Sequence, residues 1–114
     1  MKLKERERKV LIGILRDREY LVTDFLPRHR HGSDMLKRSR AVQDGLVPMN
    51  LSGWLGAEPT ASERVMFSRS YKDLESKGLI ERCNVWGESN RASHLKLTEA
   101  GEEAAKELAA QAVS

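Results

Sequence analysis

Residues 71–82 read YKDLESKGLIER, and this stretch decides the fold. Tyr71 and Leu74 continue an apolar spacing that starts at Phe67, at i, i+4 and i+7, so the chain before Lys77 is an amphipathic helix with one inward stripe. Gly78 stands just past the last periodic residue. A glycine there takes the left-handed conformation that side-chain-bearing residues resist, which ends the helix and turns the chain sharply. Beyond it LIERCNVW (79–86) changes to a strand-like alternation, so Leu74 and Leu79 anchor the helix end and the first strand in one core.

Downstream, the polar turn GESNRA (87–92) separates that run from SHLKLT (93–98), which reads as the returning strand of a hairpin. Leu95 and Leu97 fall on one side of it, which places them inward and turns His94 and Lys96 outward. Thr98 is positioned to cap a final helix, EAGEEAAKELAAQA (99–112). In that helix Ala100, Ala104 and Leu108 repeat at i+4, and glutamates crowd the first two turns, where the helix dipole favours them.

Upstream, Thr60 or Ser62 caps the helix that ends near Lys77. Opposite its apolar stripe stand Ser62, Val65, Arg69, Lys72 and Ser76, a polar and positive face read as lacking any carboxylate. Between Pro48 and Pro59, Leu51, Trp54 and Leu55 fit a short helix with Trp54 in the core. At the start of the chain Val10, Leu11, Ile14 and Leu15 share one helical stripe. That helix either continues to Pro27 or breaks and restarts with Thr23 as its N-cap. PRHRHG (27–32) is a basic loop. Ser33 then caps a helix in which Lys37, Arg38 and Arg40 cluster, and Gly45 ends it.

With 114 residues, 39% apolar and 32% charged, the chain has the makeup of one soluble globular domain with one modest core. The net charge of +3 is unevenly spread: residues 1–50 hold 12 Lys and Arg against 7 Asp and Glu, whereas residues 97–114 hold 1 against 4. A basic body with an acidic tail suits a polyanionic partner, because neutralising phosphates releases condensed counterions. Cys83 is the single cysteine, so no internal disulfide forms and a cytoplasmic location is expected. VLIGIL (10–15) is too short for a signal core, and no stretch is long enough to cross a membrane.

The order of elements and the motifs YKDLESKGLIER and LKLTEAG (95–101) resemble the multiple-antibiotic-resistance regulator (MarR-like) superfamily over about residues 50–104. The resemblance implies a mostly α, winged helix-turn-helix fold with a small β-hairpin. On that reading the chain is one domain, with an N-terminal helical part at about 1–46, a helix-turn-helix at about 48–78, a wing at about 79–97 and a C-terminal helix at about 99–112. The implied function is sequence-specific binding of double-stranded DNA in transcription regulation, with the recognition helix in the major groove. Ser62, Val65 and Arg69 are the base-facing candidates: Arg69 suits a bidentate guanine contact and Val65 a thymine methyl. Arg64, Ser68 and Lys72 are candidates for the backbone. The resemblance also puts Arg91, with Asn90 beside it, at the wing tip for the minor groove. A homodimer is expected, with the first and last helices offering surfaces for two-fold pairing.

Taken alone, Arg64, Arg69 and Lys72 describe an ordinary solvated helix face; the adjoining hairpin and the helix order turn them into a DNA-binding face. His29, His31, Cys83 and His94 are zinc-ligand types without zinc-site spacing, so no metal is expected. No phosphate loop, nucleophile–base pair or carboxylate cluster is present in the sequence, so neither catalysis nor a cofactor is expected. Trp86 reads as a packing residue. Two alternatives remain open: a winged-helix module that binds another protein, and a plasmid or phage replication or partition factor.

Overall fold

The structure, a computed structural model, describes residues 3–25, 40–84 and 92–113. Helix α1 spans Glu5–Tyr20 and runs into a π-helical turn at Leu21–Phe25; helical residues 40–43 lead to β1 (Leu46–Pro48), α2 (Leu51–Leu55), α3 (Ala61–Ser76), β2 (Ile80–Cys83), β3 (His94–Leu97) and α4 (Glu99–Val113). The chain is thus mostly helical with one small sheet, a layout compatible with a winged helix-turn-helix. No helix among the described residues is long and apolar enough to cross a membrane.

The α1 stripe behaves as its spacing requires: Val10, Leu11, Ile14 and Leu15 are all buried. Each such side chain contributes about 1.5–3 kcal/mol by leaving water, which outweighs the weak helix propensity of the isoleucine and valine. Of the two expected courses of this helix, the break and restart at Thr23 does not occur: its hydroxyl donates to the Glu19 carbonyl at 2.7 Å, and the chain stays helical through a π turn to Phe25, while residues 26 and 27 lie outside the described residues. The loop at 27–32, the cap at Ser33 and the cations Lys37 and Arg38 lie outside the described residues. Gly45 closes the helical turn at 40–43 with φ of 84°, as expected of a terminating glycine.

The sheet has three antiparallel strands in the order β1-β3-β2, so the hairpin gains a third strand from Leu46–Pro48. Val47 lies opposite Leu95, and Ile80 opposite Leu97. This corrects the expected outward orientation of His94. As part of the central strand, His94 pairs in register with Pro48 on one side and Cys83 on the other, and it is buried, with Ser93 Oγ 2.8 Å from its Nδ1.

The core gathers the α1 stripe, Val47, Phe67, Tyr71, Leu74, Leu79, Ile80, Leu95, Leu97 and Ala105. Burial pushes the Tyr71 hydroxyl up to about 12. In α4 the stripe is rotated from its expected position: Gly101 and Ala105 are buried, Ala104 and Leu108 are half-buried, and Ala100 is exposed. The rotation follows from Gly101, which presses against the Leu79 carbonyl so closely that a Cβ there would overlap it. Thr98 fixes this approach. Its hydroxyl accepts from the Gly101 N–H at 3.0 Å and donates to the Gly78 carbonyl at 2.6 Å, tying the start of α4 to the turn after α3. Arg18 on α1 reaches Glu102 on α4 at 2.8 Å. The apolar stripe of α1 thus packs into the core, as its spacing requires.

Candidate nucleic-acid interface

Helix α3 begins at a capping box. The Thr60 hydroxyl accepts from the Glu63 N–H at 3.1 Å, and the Glu63 carboxylate accepts from the Thr60 N–H at 2.9 Å. These bonds hold the Glu63 carboxyl below its ordinary value. The cap is thus Thr60, and Ser62 remains exposed in the first turn. At the other end the Leu79 N–H donates to the Leu74 carbonyl at 3.0 Å, and Gly78 takes φ of 74°. Glu75 then joins helix to hairpin: it accepts from Arg82 Nη2 at 2.8 Å and from the Arg82 N–H at 3.2 Å. The Arg82 contact holds the Glu75 carboxyl below its ordinary value.

With both ends fixed and Phe67, Ser70, Tyr71 and Leu74 buried, the orientation of α3 is determined. Ser62, Arg64, Val65, Ser68, Arg69 and Lys72 all lie on its exposed surface. Arg69 and Lys72 make no ion pair among the described residues. Arg64 differs: its guanidinium is 3.1 Å from Glu58, with both side chains exposed, so it enters any interface from an existing pair. Pairs of this kind contribute little in water and are readily exchanged for a stronger anion. Val65 is 53% exposed, unusual for a β-branched apolar residue on a helix otherwise well packed.

One feature of this face departs from expectation. Asp73 is exposed four residues after Arg69, at the flank of the stripe, so the surface is not free of carboxylates. Asn90 and Arg91 lie outside the described residues, as do Trp86, His29 and His31.

The locks that hold α3 in place were not apparent from the sequence. Glu7 and Lys77, 70 positions apart, meet at 2.6 Å, and Glu75 meets Arg82 across a turn. Only the second carries a local signal, as opposite charges seven residues apart around a glycine. Among the described residues no group of three His, Cys, Asp or Glu side chains is placed to hold a metal ion. Burial, reinforced by Glu81, pushes the half-buried Cys83 thiol up, which disfavours the reactive thiolate. Comparison with protein-family models, with curated proteins and with solved structures returned no match.

Proposed function

We propose that this chain is a winged helix-turn-helix protein that binds duplex DNA sequence-specifically and regulates transcription, with α3 in the major groove and the β2–β3 hairpin against the flanking minor groove or backbone. One observation carries this reading: Arg69 and Lys72 stand in the open on a helix whose two ends are fixed, beside exposed Ser62, Val65 and Ser68. An α-helix is the element that fits the major groove, and these residue types supply a bidentate guanine contact, a methyl contact and phosphate contacts. A helix held by a capping box and by Glu75–Arg82 meets the groove with little ordering cost. Two copies related by a two-fold axis would set their α3 helices in successive major grooves about 34 Å apart.

The test is selection of bound sequences from random duplexes at physiological salt, followed by titration over a range of salt concentrations. A defined site and a steep salt dependence, both lost in Arg69→Ala/Lys72→Ala, are expected. A second reading, docking of another protein on α3, is favoured by Val65 and Met66, which are both exposed on this helix. Under that reading duplex binding is absent or indifferent to sequence, and Val65→Ser rather than the double cation variant abolishes partner binding.

A further inference from the structure

A second group of cations stands on α1, some of them bordering the first turn of α3. Arg6, Lys9 and Arg16 fall along one edge of that helix, at i, i+3 and i+10, and all three are exposed. Two grooves show where this edge faces. One, of about 300 Å³, lies between Lys4, Arg6 and Lys9 on one side and Leu55, Glu63 and Phe67 on the other, so the cations border the first turn of α3 beside Ser62. The second, of about 270 Å³, runs between Lys9, Gly13 and Arg16 on one side and Asn50, which caps α2, with Gly53 and Trp54 of α2 on the other. Lys9 lines both, so the two grooves adjoin and together make a trough whose first part lies alongside the start of the proposed recognition helix.

Carboxylates also occur here, and their restraint decides the balance. Asp17 accepts from Trp54 Nε1 at 3.0 Å and from Asn50 Nδ2 at 3.3 Å, which holds it against α2. Glu63 is engaged by the capping box. Glu5 lies 3.9 Å from Lys9, with both groups well exposed, a contact too weak to hold the ammonium. Arg6 and Arg16 have no ion-pair partner among the described residues. The linings of the two grooves carry Lys4, Arg6, Lys9 and Arg16 against Glu5, Asp17 and Glu63, so their balance is positive.

We propose that Lys9 and Arg16, across the trough from Asn50 and Gly53, hold the phosphate backbone of the duplex next to the stretch read by α3, a role that rests on the DNA-binding reading of that helix. Seven residues of helix separate them by about 10 Å along its axis, a span over which two extended side chains reach neighbouring phosphates of one strand. The contacts carry no base identity. They set how deeply the chain sits on DNA and how steeply its affinity falls with salt.

The experiment compares the wild type, Lys9→Gln/Arg16→Gln, Lys9→Arg/Arg16→Lys and Arg69→Ala/Lys72→Ala on the selected duplex and on an unrelated one, from low to high salt. Losing two phosphate contacts should lower the slope of log affinity against log salt by about 1.8, since each contributes about 0.9. The glutamine variant should weaken both duplexes alike, and the charge-conserving variant should keep the wild-type slope. A glutamine variant with unchanged slope, alongside Arg69→Ala/Lys72→Ala that still weakens binding, overturns the α1 assignment and leaves the α3 reading standing. A changed sequence preference in the glutamine variant overturns it as well, because phosphates are alike at every base. Wild-type protein that ignores duplex DNA at low salt overturns both. All of these positions are solvent-exposed, and equal thermal midpoints confirm that the variants fold.

Discussion

Lys77 Nζ stands 2.6 Å from Oε2 of Glu7, a carboxylate with no solvent exposure. Its other oxygen accepts from the Lys4 N–H at 3.0 Å, so both ends of α1's first turn and the end of α3 converge on one buried charge. Burial acts to raise the Glu7 carboxyl, but the Lys77 and Lys4 bonds outweigh it and hold the group below its ordinary value.

Removing the ammonium leaves that charge uncompensated. Lys77→Ala should therefore cost about 2–4 kcal/mol in urea unfolding, below the full cost for a buried pair because Lys77 keeps some exposure. The pH dependence has a fixed sign. A depressed carboxyl stabilises the fold above the unfolded value near about 4.3, and that contribution disappears as pH falls through the folded value. The stability difference between wild type and Glu7→Gln should thus shrink from pH 7 towards pH 3. A difference that grows on acidification would show that Glu7 is not held ionised.

Gly101 is fixed by a backbone atom rather than by a side chain that can swing away, because a Cβ there meets the Leu79 carbonyl. Gly101→Ala should cost about 3 kcal/mol and separate α4 from the α3–β2 turn. Gly56→Ala is the informative control: its φ of 74° strains an alanine, but nothing lies within 4 Å of the new Cβ. That substitution should cost only about 1–2 kcal/mol. Equal losses in the two variants, measured by thermal unfolding, would refute the close-approach explanation.

Trp54 lies across α1 at Gly13, where a Cβ would come within 2.5 Å of the indole, and its Nε1 donates to Asp17. Gly13→Ala should destabilise the wild type by about 2 kcal/mol through overpacking. In a Trp54→Ala background the obstruction is gone, and the same change should stabilise by about 0.5–1 kcal/mol, since alanine favours a helix interior over glycine. The double-mutant cycle is the measurement, and additivity would contradict this packing.

Asp73 is the one exposed acid near Arg69 on the α3 face. If this face meets phosphates, Asp73→Asn should tighten duplex binding about two- to five-fold at low salt, the scale of an exposed charge contact, and less at high salt. Fluorescence anisotropy on a labelled duplex would register the change. Weaker binding of the variant would place Asp73 among the base-reading groups instead.

Much of the fold was legible because its signals are local. The α3 boundaries followed from Thr60, the Phe67–Tyr71–Leu74 spacing and Gly78, all of which act within a few residues of one another. The helix-strand-strand-helix order after Lys77 was readable for the same reason. Strand β1 was not: three residues ending in Pro48 are too few to show a period, and they become a strand only when β3 lies beside them. Asp73 was missed because the stripe was followed from Arg69 only to Lys72, at i+3, although Asp73, at i+4, is equally a neighbour of Arg69 on a helix.

What the chain's own order determined is therefore where α1, α2, α3 and α4 lie, the Thr98 cap of α4 and the apolar stripes of α1 and α3, since these depend on steric and hydrogen-bonding preferences between near neighbours. Only the tertiary structure decided that His94 is buried, that Glu7 and Lys77 pair, that α4 turns Gly101 towards Leu79, and that Arg69 and Lys72 are left exposed on a braced helix. Those outcomes depend on groups far apart in sequence competing for the same small core, and no local pattern encodes which of them meet.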